Sequence, residues 1–253
     1  MPLFHDTLCP VSDYTFYALA TGYPCTTISH TKPAIRSEVR QDSTEEEVRL
    51  RCAEAKKYTF ASLYVCPCYI QLAKKLLEGS GIPLGTAIAF PHGASTTEVK
   101  VYEAREAIRL GADILDIVMN IGMLKSGKID YVKRDLIEVV KASKKEKEDV
   151  ILKVIIETGA LNRDQIVTAS KVVRESGAHF VKTSTGFLAR DPSVEDVKLI
   201  RESVGNDFGV KVAGGVKTAD KAIMMINAGA DLIGETAGVA LVEGLEFIAS
   251  LMK

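Results

Sequence analysis

Charged side chains stand inside apolar segments at four places: Asp116 between Leu and Ile, Lys153 between Leu and Val, Lys182 between Val and Thr, and Lys211 between two Val. Such β-branched, apolar segments are typical of strands in a helix-covered parallel sheet, which are buried on both faces. Charges in that position are rare unless they are paired or functional. Alternation along a strand gives Asp116 and Asn120 the same face, so both are candidate site residues.

Two explanations of these charges are open. For Lys153 with Glu157 we favour a buried ion pair that fixes strand register, because both side chains share one strand face. For Lys182, Lys211 and Asp116, an ion pair needs only one lysine, so the second adds surplus positive charge. Surplus charge, like desolvation, lowers the pKa of an amine, and an uncharged amine is the form that attacks a carbonyl. We therefore expect Schiff-base chemistry, in which one lysine attacks, the second keeps the first uncharged and the aspartate carries protons.

Glycine-rich segments follow three of the apolar stretches in the second half of the chain. They contain the candidate substrate- or phosphate-binding residues Gly186, Gly214, Gly215, Gly234, Glu235 and Thr236. Backbone N–H groups in such loops, next to a helix start, bind phosphate well. Glycines also serve simply as turn residues, so the loops alone do not decide between the two roles. Their proximity to the lysine pair favours phosphate.

The elements that must position these residues alternate along nearly the whole chain. Predicted strands cover residues 25–30, 60–65, 84–90, 114–120, 150–157, 180–185, 210–215 and 232–235. Segments with helical periodicity follow them at residues 44–58, 67–79, 97–110, 131–145, 163–176, 194–204, 219–228 and 239–252. Gly111, Gly177 and Gly229 each precede Ala at a predicted helix end, where a left-handed glycine is common. Ser193 and Thr218 are predicted N-caps.

Eight strand–helix units predict an α/β fold in which a parallel sheet closes into a (β/α)8 barrel, the TIM-barrel architecture. The length suits one such domain over residues 1–253. An open doubly wound sheet is the alternative, but it rarely needs so many units, and its usual glycine fingerprint does not follow the first predicted strand. Residues 1–24 form an N-terminal extension, with an extra helix predicted over residues 12–20.

Composition excludes several classes of partner. The net charge of −1 gives no electrostatic reason to expect nucleic acid or an anionic membrane. No apolar stretch approaches the roughly 18 residues of a membrane span, and residues 1–10 lack the pattern of a signal peptide. The five cysteines are irregularly spaced, and Cys66 and Cys68 lack the spacing of a zinc or redox pair, so we interpret them as ordinary thiols. We expect a reduced, cytoplasmic protein with no metal and no cofactor.

Several segments together resemble one enzyme family. They are Leu-Lys-Val-Ile-Ile-Glu-Thr-Gly at 152–159, Val-Lys-Thr-Ser-Thr-Gly-Phe at 181–187, Val-Lys-Val-Ala-Gly-Gly-Val at 210–216, Gly-Ala-Asp-Ile-Leu-Asp-Ile-Val-Met-Asn-Ile-Gly at 111–122, Phe-Pro-His-Gly at 90–93 and Phe-Ala-Ser at 60–62. Over about residues 25–250 the chain resembles the deoxyribose-phosphate aldolases. The resemblance implies a barrel that reversibly cleaves 2-deoxyribose 5-phosphate to acetaldehyde and glyceraldehyde 3-phosphate without a metal.

The resemblance also implies roles for individual residues. Lys182 matches the Schiff-base lysine, Lys211 the second lysine and Asp116 the proton-relay aspartate. The backbone positions that match the phosphate site are Gly186, Gly214 and Gly215. Lys153 and Asn120 are candidate supporting residues.

Three segments depart from the pattern of the family. Its usual Asp-His-Thr-Leu-Leu is Ser-His-Thr-Lys-Pro at 29–33, its Val-Cys-Val-Asn-Pro is Leu-Tyr-Val-Cys-Pro at 63–67, and its Gly-Thr-Ser is Gly-Glu-Thr at 234–236. The three residues assigned to the chemistry are unchanged, so these departures bear on the substrate. A carboxylate at Glu235 repels a phosphate group, which makes an unphosphorylated acceptor an alternative.

We therefore expect a class I aldolase that acts through a lysine Schiff base on a small aldehyde or sugar phosphate. One alternative is the same mechanism on a different or unphosphorylated hydroxyaldehyde or ketose. Others are a sugar-phosphate isomerase, which uses a carboxylate base and forms no covalent adduct, and a non-catalytic binding protein. A homo-oligomer is compatible with the sequence.

Overall fold

The structure is a computed structural model that describes residues 35–38, 42–187, 190–234, 239, 243 and 244. Its strands are β1 (Ile35–Glu38), β2 (Ser62–Tyr64), β3 (Leu84–Ile88), β4 (Ile114–Val118), β5 (Ile151–Ile155), β6 (Phe180–Lys182), β7 (Gly209–Ala213) and β8 (Leu232–Gly234). They pair in parallel and in chain order, and β8 pairs with β1, which closes the barrel. The predicted (β/α)8 barrel is confirmed, and the open doubly wound sheet is wrong.

Helices alternate with the strands. They are α1 (Glu45–Tyr58), α2 (Ile70–Leu76), α3 (Thr97–Leu110), α4 (Ile121–Lys125), α5 (Ile129–Glu146), α6 (Arg163–Glu175), α7 (Val194–Val204) and α8 (Ala219–Asn227). In α5 the side chains of Val132, Leu136, Val139 and Val140 are buried, which is the spacing of one helix face. That face packs into the apolar layer between the sheet and the helices. Within the described part of the chain, no helix is long and apolar enough to cross a membrane.

The strands from residue 60 onward were predicted where β2 to β8 lie, but the first was not. The prediction over residues 25–30, like the extra helix over residues 12–20, falls outside the described residues. The strand that pairs with β2 and β8 is Ile35–Glu38. Its sequence, Ile-Arg-Ser-Glu, contains one apolar residue, so hydrophobic periodicity gives no signal for it. The predicted helix over 239–252 also lies mostly outside the described residues.

Local signals that begin and end the helices are confirmed. The side chains of Ser193 and Thr218 each accept a hydrogen bond from the backbone N–H three residues later, as N-caps do. Gly111, Gly177 and Gly229 have φ of 114°, 84° and 111°. These are left-handed conformations that L-residues with a Cβ rarely adopt, and each turns the chain from a helix into the next strand.

Inside the barrel, two glycines make room for aromatic rings on neighbouring strands. Gly85 pairs with Tyr64, and Gly209 pairs with Phe180. A Cβ on Gly85 would lie 2.5 Å from Cε1 of Tyr64, and one on Gly209 would lie 2.1 Å from Cδ1 of Phe180. Aromatic rings packed in a closed barrel have little freedom to withdraw from such contacts. The absence of a side chain at Gly85 is therefore what admits the Tyr64 ring.

We expect Gly85→Ala to destabilise the fold by about 1–3 kcal/mol, the usual cost of overpacking. In a Tyr64→Ala background the same change should cost close to nothing, because the ring that it strikes is gone. Denaturant unfolding of the two single variants and the double variant measures this coupling. Gly122→Ala in α4 is the matched control, since a Cβ there meets only Asn120 Oδ1 at 3.6 Å. An equal cost of Gly85→Ala in both backgrounds would contradict the steric explanation.

Candidate active site

Five side chains from five strands meet inside the barrel: Tyr64 of β2, Asp116 of β4, Lys153 of β5, Lys182 of β6 and Lys211 of β7. Strand pairing puts Asp116 beside Lys153, and Lys182 beside Lys211. Asp116, Lys153 and Lys211 are fully buried, and Lys182 and Tyr64 are 3% and 5% exposed. The three lysines and the aspartate singled out from the sequence are therefore brought together.

The Asp116 carboxylate is the centre of this cluster. Its Oδ2 accepts a hydrogen bond from Nζ of Lys211 at 2.9 Å and lies 3.0 Å from Nζ of Lys182. Its Oδ1 accepts a hydrogen bond from the Tyr64 hydroxyl at 2.9 Å and lies 3.9 Å from Nζ of Lys153. Each carboxylate oxygen thus has a distinct set of partners, which fixes the rotation of the group.

Burial and charge act on the Asp116 carboxyl in opposite directions. Desolvation by itself raises its pKa, since water no longer stabilises the charged form. Coulombic attraction to Lys211, Lys182 and Lys153 outweighs desolvation and holds the pKa well below its usual value. Asp116 therefore stays a carboxylate at neutral pH and orients the proton donors around it.

The Nζ atoms of Lys153, Lys182 and Lys211 lie 3.9, 3.0 and 2.9 Å from the Asp116 carboxylate. Lys182 is the last residue of β6, whereas Lys153 and Lys211 lie in mid-strand. Pairing puts Lys182 level with Lys211, but Lys182 keeps 3% exposure whereas Lys153 and Lys211 are fully buried, so a carbonyl ligand entering from the open face reaches the Lys182 amine most readily.

The glycine loops lie at this same end of the barrel. Gly186 and Gly214 have φ of 81° and 87°, and a Cβ on Gly214 would lie only 3.6 Å from the Cα of Gly186. The two backbones thus approach each other beyond β6 and β7, and Gly215 follows with φ of 68°. Gly234 is buried at the end of β8. The other two candidates in that loop, Glu235 and Thr236, lie outside the described residues.

One acidic side chain reaches the glycine loop beyond β7. A Cβ on Gly215 would lie 2.1 Å from Oδ2 of Asp191, so this carboxylate packs against the glycine backbone. Its neighbour Arg190 is directed elsewhere, to both oxygens of Asp196 at 2.6 and 2.9 Å. The loop that follows β6 therefore brings a negative group to the site where we predicted phosphate.

The predicted pair of Lys153 with Glu157 is wrong. Nζ of Lys153 donates to the Tyr64 hydroxyl at 3.0 Å. Oε2 of Glu157 instead accepts from the backbone N–H of Thr185 at 3.0 Å and from its hydroxyl at 2.5 Å. The reason is backbone conformation: Glu157 has φ of 54°, so strand alternation does not extend to it.

The Glu157 contact has a structural consequence for the loop after β6. The Thr185 hydroxyl accepts from the backbone N–H of Phe187 at 3.2 Å, so a buried carboxylate braces both sides of Gly186. Nearby polar atoms are left over: Glu157 Oε1, Thr158 Oγ1 and Ser184 Oγ are buried without a hydrogen-bond partner among the described residues. Unpaired buried polar atoms are costly, and three of them beyond β5 and β6 suit a site that binds polar ligands.

Two residues have contacts other than those expected. Asn120, a candidate supporting residue, caps the unpredicted helix α4 by accepting from the backbone N–H of Met123 at 3.1 Å. Tyr64 was not predicted as a site residue, because a tyrosine in an apolar strand is ordinary and only its distance to Asp116 reveals it. Across the described ranges, no group of three or more His, Cys, Asp or Glu residues could hold a metal ion.

Comparison with known proteins agrees with this geometry. The family model described as "DeoC/LacD family aldolase" matches residues 35–243. A deoxyribose-phosphate aldolase of Thermoanaerobacter sp. (strain X514) is 49% identical over 205 residues, which are 81% of this chain and 92% of that protein. The enzyme of the same name from Enterococcus faecalis (strain ATCC 700802 / V583) is 46% identical over 206 residues, with 81% and 92% covered.

A solved structure is similar over the same region. The deoxyribose phosphate aldolase from Aeropyrum pernix, described as having a unique tetrameric structure, has a TM-score of 0.78 and 30% identity, and the match covers 85% of this chain and 90% of that one. The family match includes every residue of the buried cluster. The resemblance found in the sequence is confirmed, and the chain belongs to the DeoC/LacD family of aldolases.

Proposed function

We propose that this protein is a class I aldolase that reversibly cleaves 2-deoxyribose 5-phosphate to acetaldehyde and glyceraldehyde 3-phosphate. The observation that carries the proposal is the contact of the Lys182 amine, at 3.0 Å, with the carboxylate that also binds Lys211 at 2.9 Å. A nucleophilic amine, a proton carrier and a second positive charge are thus within reach of one small carbonyl compound. The names of the sequence relatives support the choice of substrate.

In the proposed reaction, the Lys182 amine adds to the C1 aldehyde of the open-chain sugar, and loss of water gives an imine. Removal of the C3 hydroxyl proton lets the C2–C3 bond break, and its electron pair moves through C2 toward the imine nitrogen. This step releases glyceraldehyde 3-phosphate and leaves an enamine on Lys182. A proton added to C2 gives the imine of acetaldehyde, which water hydrolyses.

Asp116 and Lys211 are proposed to manage the protons. Asp116 is charged and fixed by hydrogen bonds on both oxygens, so it can accept a proton through a water molecule and return it to C2. Lys211 bonds the same oxygen that faces Lys182, so it holds the carboxylate oriented beside the nucleophile. Lys153, which is fully buried, supports the cluster by its bond to the Tyr64 hydroxyl.

The phosphate of the substrate is proposed to bind the loops at Gly186, Gly214 and Gly215. Their positive φ directs backbone N–H groups in ways that favour an anion. The segment Gly234, Glu235 and Thr236 is proposed to complete the substrate contacts. No metal or cofactor is needed for the bond changes, because the imine itself accepts the electron pair.

We expect the purified protein to release glyceraldehyde 3-phosphate from 2-deoxyribose 5-phosphate, measured by coupled reduction with NADH. Borohydride added with acetaldehyde should attach an ethyl group to Lys182, located by peptide mass analysis. Protein treated with borohydride alone is the control. A sugar-phosphate isomerase or a non-catalytic binding protein would give no covalent label, and labelling mainly on Lys153 or Lys211 would overturn the assignment of the nucleophile.

An unphosphorylated hydroxyaldehyde is a second candidate substrate, supported by the Asp191 carboxylate against Gly215. Negative charge at that loop opposes a phosphate there. The ratio of kcat/KM for 2-deoxyribose 5-phosphate to that for 2-deoxyribose decides between them. A ratio well above one supports the phosphate ester, and a ratio below one supports the unphosphorylated sugar.

We further propose that the protein works as a homo-oligomer in the cytoplasm. The oligomer is suggested by the Aeropyrum pernix relative, whose structure is described as tetrameric. A reducing compartment agrees with the free thiols of Cys52 and Cys68. Light scattering coupled to size-exclusion chromatography measures the oligomeric state.

A further inference from the structure

We infer that Tyr64 is a positioning residue of this active site: its hydroxyl joins the buried Lys153 amine to Asp116 and sets the carboxylate for proton transfer. The inference rests on the proposed aldolase function. Tyr64 donates from its hydroxyl to Asp116 Oδ1 at 2.9 Å and accepts from Lys153 Nζ at 3.0 Å.

The two oxygens of Asp116 have different partners. Oδ2 faces Lys182 and Lys211, and Oδ1 is held by Tyr64. A carboxylate held at one oxygen keeps the other in a single orientation toward the reacting amine. Without the hydroxyl, Oδ1 would lose its hydrogen bond and the group would be able to rotate toward Lys153.

The ring of Tyr64 contributes separately from its hydroxyl. Nζ of Lys211 lies 4.0 Å from the ring centroid, close enough for a cation–π interaction with a buried ammonium group. The nitrogens of Lys153 and Lys182 lie farther from the same centroid, at 5.7 and 5.8 Å. The ring therefore stabilises positive charge on Lys211 more than on Lys153 or Lys182.

Lys153 gains a role through its bond to the Tyr64 hydroxyl. It is fully buried and is not needed for the bond changes of the reaction. Its donation to the Tyr64 hydroxyl leaves the phenol proton directed at Asp116 Oδ1, because that hydroxyl has a single proton. Gly85 completes the arrangement by leaving space for the ring. Tyr64, Lys153 and Gly85 form a support that ends at one oxygen of Asp116.

Tyr64→Phe tests the inference, since it keeps the ring and removes the hydroxyl. Two readouts are combined: deuterium exchange into the methyl group of acetaldehyde, which reports proton transfer at C2, and borohydride labelling of Lys182, which counts functional sites. The exchange rate per labelled site should fall about ten- to hundredfold, as expected for the loss of a hydrogen bond to a charged group. KM for the cleaved sugar should change little while kcat falls.

Tyr69→Phe is the matched control, because it also keeps the ring and removes only a hydroxyl, one that donates to the Ser43 carbonyl outside the site. It should leave the exchange rate per labelled site unchanged. A purely structural role of Tyr64 would lower the number of labelled sites but not the rate at each, and that result would overturn the inference. If the wild-type protein neither exchanges deuterium nor becomes labelled, the proposed function fails instead.

Lys153→Met gives a second test that does not depend on the folding of the Tyr64 variant. We expect it to lower the exchange rate per site in the same direction. The double variant should be less impaired than the product of the two single effects, because part of the effect of Lys153 on Asp116 passes through the Tyr64 hydroxyl, beside its direct contact at 3.9 Å. Fully multiplicative effects would overturn that connection.

Discussion

Lys182→Met should lower kcat for aldol cleavage by at least about 10⁴-fold, the scale of losing a covalent nucleophile. Methionine fills similar space but has no amine, so no imine forms. The fold should keep most of its stability, because methionine fills the space and the Asp116 carboxylate keeps its bonds to Lys211 and Tyr64. Steady-state kinetics and thermal unfolding measure the two effects separately.

Lys100→Met is the matched control for the loss of a buried lysine. Nζ of Lys100 lies 2.6 Å from Asp135 between α3 and α5, away from the barrel interior, and both side chains are buried. Removing it leaves the buried Asp135 carboxylate with its Thr97 hydrogen bond but without the Lys100 charge, which should cost about 3–5 kcal/mol of stability while leaving the activity of folded protein intact. The two variants should thus show opposite patterns. Residual cleavage by Lys182→Met near the wild-type rate would show that another amine forms the imine.

Asp116→Asn should destabilise the fold by about 3–5 kcal/mol at neutral pH and lower kcat by about 10²- to 10⁴-fold. An amide of the same shape cannot offset the charges of Lys211 and Lys182, which lie 2.9 and 3.0 Å from the carboxylate. Nor can it carry the proton. Denaturant unfolding and cleavage kinetics give the two losses.

The pH dependence of this stability difference is a sharper test. The folded-state pKa of Asp116 lies below its ordinary value of 3.8, since the pull of the lysines outweighs desolvation. The stability from the charged carboxylate is therefore complete above the unfolded-state pKa and is lost as the pH falls from about 4 toward the folded-state pKa. The gap between wild type and Asp116→Asn should narrow over that window. A gap that stays constant from pH 6 to pH 3 would contradict the charge argument.

Asp113→Asn supplies the comparison for a carboxylate in partial contact with solvent. Asp113 bonds Lys147 and Lys74 at 2.7 and 3.0 Å. The pKa of its carboxyl is lowered from the ordinary value, as the pKa of Asp116 is. Solvent screens these pairs, so each should contribute at most about 1 kcal/mol. The stability difference between wild type and Asp113→Asn should therefore change little as the pH falls.

The fold and the charged residues of the buried cluster were predictable from sequence because both leave strong local signals. Strands buried on both faces must be apolar, so a lysine such as Lys182 or Lys211 in one of them is conspicuous. Alternating strands and helices allow few topologies, which made the barrel predictable. By contrast, β1 has a polar sequence, and its place in the barrel follows from its pairing with β2 and β8.

The support around the reacting residues was not predictable, because it depends on contacts between distant strands. Tyr64 and Asp116 are separated by 52 positions, and neither local sequence predicts the hydrogen bond between them. Strand alternation predicted that Glu157 shares a face with Lys153. The left-handed backbone of Glu157 directs its carboxylate to Thr185 instead. Strand alternation predicts facing only where the extended conformation persists.

The contact between Gly85 and the Tyr64 ring restricts how this barrel can diverge. The two positions pair on adjacent strands, and a side chain at one occupies the space used by the other. Substitutions there should be correlated among homologues: a large residue at position 64 requires glycine at position 85, and a side chain at 85 requires a small residue at 64. An evolutionary path that acquires this tyrosine must therefore pass through glycine first.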